Sequence, residues 1–339
     1  MKENFMSRKR ILMLFKFILV AGIFIFLYKT GRIEFSKLSA VYLNPGLFAA
    51  ANVLVFLSSF IAVERWRALL RIHKISIGYW YGCKLTFVGA FFSAVIPGAV
   101  SGDIMRAYYI ARGEQEKEAL ILSVVFDRLI GLYTIVLSGT VALGAGFILD
   151  RLSGQNGVWA EPAFISLGMF VLAVFLGMTA VGMAFRSTNI RRSVFIETML
   201  KKLPFSHLMT RIYDAVHEYG QNPLLMFKAV ALSIISQIPL YIGMWFIIEM
   251  LHITALSVIE FLVAIPVCFL INAIPLAPGG LGVGEVGFMS VFLLFGSHEG
   301  AELSMIFHLI FFVLSLGFGG LVYLVSDISK KELERIKSG

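Results

Sequence analysis

Nine ionisable side chains stand inside long apolar runs of this sequence: Lys16, Lys84, Asp103, Arg106, Asp127, Arg128, Glu249, Glu285 and His308. A charge at the centre of a membrane helix costs about 2.5–3.5 kcal/mol on insertion scales, so such residues face an interior and have partners. Lys16 reads as a snorkelling side chain, and Lys84 and Glu249 fall near segment ends. Asp103 and Arg106 stand three apart, directly after Pro97-Gly98, and share a face if the chain beyond Gly102 is helical. Two readings stay open. In one, a half-helix starting near Gly98–Ser101 turns its free N–H groups and positive dipole end toward an anion, and Arg106 adds a planar fork suited to phosphate. In the other, Asp103 and Arg106 neutralise each other. Adjacent Asp127 and Arg128 cannot face one another on a helix, so each needs a partner elsewhere, and Arg106 is a candidate for Asp127.

A second constellation lies at 275–288, PLAPGGLGVGEVGF. Gly282 to Gly287 spells G-x-G-x-x-G, but a dinucleotide fingerprint needs a preceding strand within a βαβ unit, and two prolines in an apolar run precede this one. Pro278, Gly279, Gly280, Gly282 and Gly284 instead strip side chains from a break in the helix pattern, leaving Glu285 as its carboxylate. Bare backbone admits a ligand, another segment or a positive φ. Glu285 could neutralise a cation, carry a proton, or cap a helix start. No G-x-x-x-x-G-K-[ST], H-E-x-x-H or D-x-D occurs, and Ser and His are too scattered for a triad. Cys83 and Cys268 sit in apolar segments, which argues against a disulfide framework or a metal site. No catalytic residue, cofactor or metal is therefore predicted, and nothing here asks for an enzyme.

These residues need elements to hold them, and composition names the solvent. Of 339 residues, 58% are hydrophobic and only 15% charged. Soluble domains run nearer 45–50% and about 25%. The excess gathers in runs long enough to cross a bilayer. The fold class expected is an all-α polytopic membrane protein forming a single integral membrane domain over 1–339. Six full crossings are predicted at about 11–28, 47–63, 119–149, 163–184, 225–251 and 303–325. The first is a retained helix, since Lys29 to Arg32 is no cleavage site. Two further apolar segments, about 79–112 and 257–297, are broken at Pro97-Gly98 and Pro275–Gly284 and read as re-entrant pairs. With both termini cytoplasmic, 23 of the 29 Lys and Arg fall on the inner side, including all those in 65–84. This explains the net charge of +8 without nucleic acid. The polar stretch at about 185–224, with Arg191-Arg192 and Lys201-Lys202, suits either an amphipathic surface helix or a solvated basic loop.

A shift of 181 residues aligns the two broken segments. Pro97-Gly98 falls on Pro278-Gly279, Asp103 within two positions of Glu285, and Ser123-Val-Val-Phe126-Asp127 on Ser304-Met-Ile-Phe307-His308. Three crossings separate the breaks, so repeats at about 47–149 and 225–326 would be inverted, an arrangement that places transporter sites at the repeat interface.

The motifs Ile96-Pro-Gly-Ala-Val-Ser-Gly-Asp103-Ile-Met-Arg106, Ser123-Val-Val-Phe-Asp127-Arg128 and Pro278-Gly-Gly-Leu-Gly-Val-Gly-Glu285 together resemble the lysylphosphatidylglycerol synthase transmembrane-region family. The resemblance runs from about 10 to 326 and implies an integral membrane part that flips a modified phosphatidylglycerol. Family relatives also occur without the synthase, some near lipid-linked sugar or hopanoid pathways. Ala99 and Ser101 stand where the family commonly has glycine, and Gly284 where a basic residue often precedes the glutamate, so a cationic-lipid preference does not carry over. About a dozen residues follow the last predicted helix, so synthase activity is not expected either. The function expected is a flippase for a phospholipid or other lipid-linked headgroup in the cell membrane. A membrane-embedded enzyme or accessory subunit of headgroup modification is the alternative. Expected partners are anionic or zwitterionic phospholipids, with a lipid-modifying synthase, a glycosyltransferase or a second copy of the chain as protein partners to test, and no nucleic acid.

Overall fold

A computed structural model describes residues 25, 28–29, 35–96, 101–111, 117–153, 159, 161–186, 216–254, 256–274 and 280–326. Pro97, Gly98, Pro278 and Gly279 lie outside the described residues, as do nearly all of the first predicted crossing and most of the basic stretch at 185–224.

The described residues contain helices and turns and no strand. After a 3-10 turn (Phe35–Ser39) and a short helical turn (Ala40–Leu43) come α1 (Pro45–Ile72), α2 (Tyr79–Val95), α3 (Ser101–Ala111) and α4 (Lys117–Ser153). Then follow α5 (Pro162–Arg186), α6 (Pro223–Met250), α7 (Val258–Asn272), α8 (Val283–Leu294), α9 (Gly300–Phe312), a π-helical segment (Val313–Gly319) and α10 (Gly320–Val325). At 1.5 Å per residue, a hydrocarbon core of about 30 Å needs about 20 residues. Five stretches meet that length with apolar composition: Pro45–Ile72, Lys117–Leu152, Pro162–Ala184, Pro223–Met250 and Gly300–Val325. They match the second to sixth predicted crossings. The chain is a multi-pass all-α membrane protein.

The two broken segments are broken as the sequence requires. Helices α2 and α7 have 17 and 15 residues and α3 and α8 have 11 and 12, each too short to cross alone. Among the described residues, three stretches of crossing length lie between the breaks: Lys117–Leu152, Pro162–Ala184 and Pro223–Met250.

Two expectations change. Helix α1 runs on through Arg65 to Ile72, so Arg65, Arg67 and Arg71 are helical rather than in the basic loop predicted after residue 63. The last crossing is not regular α-helix, because Val313–Gly319 is π-helical. Gly317, Gly319 and Gly320 hold the helix weakly there, and the carbonyl of Phe87 comes within 2.6 Å of where a Cβ on Gly319 would sit.

The described residues group into two compact units. The first draws on Met1–Phe56, Phe87–Gly102 and Leu240–Gly339. In it α8 packs against α7 and α9, and Phe318 sets its ring edge-on to Phe56 and Phe87. Gly102 lies against α2 so closely that a Cβ would meet Gly89 O at 2.2 Å and Ser93 Oγ at 2.1 Å. The second unit draws on Leu57–Thr86 and Asp103–Pro239. Its apolar core joins Leu69, Ile72, Ile130, Tyr219 and Ala229. There α4 packs on α5, and a short helix at 216–221 docks by Glu218 on His73 and by Tyr219 stacked on Phe126 at 3.9 Å.

Candidate functional site

In the second unit the charges of α1, α3 and α4 converge. Asp127 is 5% exposed, and each of its oxygens takes one arginine: Oδ1 accepts from Arg65 Nε at 2.7 Å and Oδ2 from Arg106 Nη1 at 3.0 Å. Arg106, 7% exposed, also lays its guanidinium over the Trp66 ring, 3.6 Å from the centroid. The indole N–H of Trp66 donates to Ser123 Oγ at 3.0 Å, which fixes the ring under the guanidinium. Arg65 donates onward from Nη1 to Ser233 Oγ at 2.9 Å, and Ser233, Thr134 and Gln237 continue the polar ladder between α4 and α6. The next residue of α4, Arg128, donates to Asp103 Oδ2 at 2.5 Å.

Thus Asp127 and Arg128 each find their partner on α3, as their adjacency demands, and Arg106 is the partner foreseen for Asp127. The alternative Asp103–Arg106 pair is replaced by two crossed pairs, Arg106–Asp127 and Arg128–Asp103. They differ in burial: the side chains of Arg106 and Asp127 are 9% and 7% exposed, those of Arg128 and Asp103 32% and 31%. The charge does not balance. Among the described residues, Arg65 and Arg106 both converge on Asp127, one positive charge more than that carboxylate offers. Nε and Nη2 of Arg106 are buried with no acceptor, a costly state for a guanidinium. Such an excess is what an anion site needs.

Arg65 was missed because the apolar run ends before Glu64, which hides the helical continuation. Gly131 of α4 lies beside the Arg65 guanidinium, where a Cβ would make ordinary contact with Nη1 at 3.4 Å. Beside Asp127, Phe126 begins the wall of an apolar cavity of about 630 Å³, lined also by Ile130, Tyr133, Gly182, Tyr219 and Met226. Burial, then the nearby charge of Asp127, pushes the Tyr219 hydroxyl well above its ordinary range, and its oxygen is buried without a partner.

In the first unit the glycine break resolves into packing around Asn272. A Cβ on Gly280, whose φ is +84°, would sit 1.9 Å from Asn272 Oδ1. A Cβ on Gly284 would be 2.9 Å from the same oxygen and from His308 Cε1, and 3.1 Å from Ser304 Oγ. Gly282, at φ 82°, makes the left-handed step into α8. The stripped backbone is thereby filled by side chains of α7 and α9. Glu285, 0% exposed, caps α8: Oε2 accepts the Gly282 N–H at 2.5 Å. Its Oε1 lies 2.8 Å from His308 Nδ1, and His308 is 3% exposed. His308 falls on Asp127 in the 181-residue shift. At both positions that the shift pairs, the side chain bonds a charged group on the preceding short helix: Asp127 bonds Arg106 of α3, and His308 bonds Glu285 of α8. The sequence comparison carried this signal, although His308 stood outside the predicted site.

A profile of the lysylphosphatidylglycerol synthase TM region matches residues 13–322. A UPF0104 membrane protein of Methanothermobacter thermautotrophicus is 23% identical over 312 residues, which cover 86% of this chain and 90% of that protein.

Proposed function

The chain belongs to the lysylphosphatidylglycerol synthase transmembrane-region family, and on that premise we propose that it moves a phospholipid or other lipid-linked headgroup across the cell membrane. The lipid phosphate binds at the Arg65–Asp127–Arg106 cluster. One observation carries this reading: a buried cluster with one positive charge in excess, in which two N–H groups of Arg106 lack acceptors. A phosphate oxygen pair supplies both acceptors and the missing charge. Asp103, Gly102 and Arg128 shape the start of α3, and Pro97 and Gly98 precede it. The apolar cavity along Phe126 and Tyr219 suits hydrocarbon chains. The charge distribution favours both termini in the cytoplasm. The sequence holds no P-loop, so an ion gradient, the membrane potential or the lipid gradient drives the movement.

The test is reconstitution in phosphatidylethanolamine–phosphatidylglycerol vesicles carrying fluorescent phosphatidylglycerol, with dithionite quenching as the readout. Wild type is expected to move the probe faster than empty vesicles, Arg106→Ala to lose most of that rate, and Arg106→Lys, which cannot form the fork, to recover only part. Equal rates for wild type and Arg106→Ala would sink the site assignment. A new lipid product in the presence of a donor would instead favour the enzyme reading.

A further inference from the structure

We propose that Glu285 and His308 form a one-proton site whose occupancy is tied to the closure of the α8 N-terminus; its coupling to lipid movement rests on the reading above. The starting point is charge balance. Between Lys228 and Lys330 the sequence holds neither Lys nor Arg, so no helix from α7 to α10 brings a permanent cation to a carboxylate that is 0% exposed. A bare carboxylate so buried is strongly disfavoured. Neutrality takes one proton, held across the 2.8 Å contact as imidazolium facing carboxylate or as carboxylic acid facing imidazole. The corresponding place in the first repeat contrasts with this. There Asp127 is held by two guanidiniums.

Among the described residues, the titratable groups on the elements packed against α8 are few. Helix α8 packs on α7 and α9 and carries no second ionisable group. On α7 the titratable groups are Glu260, engaged in a capping box with Ser257, and buried Cys268. On α9 they are Glu302, in the first turn, and His308; Glu299, just before α9, bonds Lys37 and Ser297. Of all these, His308 is the group bonded to Glu285.

The carboxylate that shares the proton also caps α8 through the Gly282 N–H, and α9 presents the imidazole. Loss of the proton leaves a net negative charge that water must solvate, so release requires the α8 N-terminus to open. The proton comes from water on the side to which the pair opens, and returns to water on the side where it is released. A site that exchanges its proton only when open can tie lipid movement to a pH gradient.

Two measurements on the full chain in the vesicles described above test this. The first is the pH dependence of reversible unfolding of wild type and Glu285→Gln from pH 7 to 9. The folded wild type with the proposed site holds one proton that the unfolded chain, with ordinary Glu and His, has already largely released by pH 7. Its folding constant should therefore fall tenfold more per pH unit than that of Glu285→Gln, whose amide keeps the Gly282 cap; equal slopes overturn the site. The second is movement of fluorescent phosphatidylglycerol under an imposed pH gradient. Wild type should change rate several-fold with the sign of the gradient, and Glu285→Gln and His308→Gln should both lose that response. An unchanged response in either variant overturns the coupling, and having two variants keeps the test decisive should one not fold. Wild type that moves no lipid at all defeats the functional reading, and the slopes then decide the proton site alone.

Discussion

At the scale of residues, the two arginine–aspartate pairs joining α3 to α4 look alike in sequence and differ in burial, and burial decides what each contributes. Removing the charge of Asp127 leaves Arg106, which is buried, and Arg65, which is largely so, without their counter-charge. Breaking a buried pair in this way is destabilising by about 3–5 kcal/mol. Asp103 is partly exposed with its partner, in the range where ion pairs contribute about 0–1 kcal/mol. Asp127→Asn is accordingly expected to unfold at much lower temperature than wild type in detergent, while Asp103→Asn shifts little. Equal shifts would show that the cluster's burial does not govern its energetics. The asymmetry could not be read from sequence, where Asp-x-x-Arg and Asp-Arg offer four charges with no measure of exposure.

At the scale of elements, the breaks were legible because Pro and Gly interrupt apolar runs too short on either side to cross. What fills a break was not legible, because Asn272 reads as one polar residue at the end of an apolar helix until Gly280 and Gly284 are seen folded over it. The turn between α8 and α9 shows a smaller device. Glu299 accepts from Ser297 and Lys37, tying this turn to the 3-10 turn at Phe35–Ser39. Burial alone would raise its carboxyl, but the Ser297 hydroxyl and then the Lys37 ammonium outweigh it and hold the group below the usual carboxylate range. A carboxyl whose folded pKa lies below its unfolded value adds stability above the unfolded value, near about 4.3, and loses it as pH falls through the folded one. Both side chains are roughly a third exposed, so the contribution stays under about 1 kcal/mol. Glu299→Gln should unfold slightly earlier than wild type at pH 7, with the gap closing below pH 4; a gap that persists in acid would assign the effect to packing.

At the scale of the whole molecule, five of the spans and the short helices flanking each break were legible in the sequence, because bilayer thickness dictates segment length. The exact end of α1 was not, because a helix can leave the hydrocarbon and continue with charged residues that pair sideways. Sidedness is open to direct measurement. Cys83 and Cys268 are buried, so wild type should resist a membrane-impermeant maleimide. A cysteine placed at Lys74, an exposed turn residue with φ 59°, should label from the cytoplasmic face, and one at Glu161 from the opposite face. Labelling of both from one side would break the proposed topology.

The Trp66 indole lies wholly buried beneath the Arg106 guanidinium and is hydrogen-bonded to Ser123. The chain has four tryptophans, and replacing Trp80, Trp159 and Trp245 by Phe leaves this one as the sole emitter. A cation against the ring perturbs its excited state, so an anion that draws the guanidinium away changes the emission. The molecule thus carries its own optical reporter, and occupancy of the arginine cluster can be followed by intrinsic fluorescence, in real time and without a label.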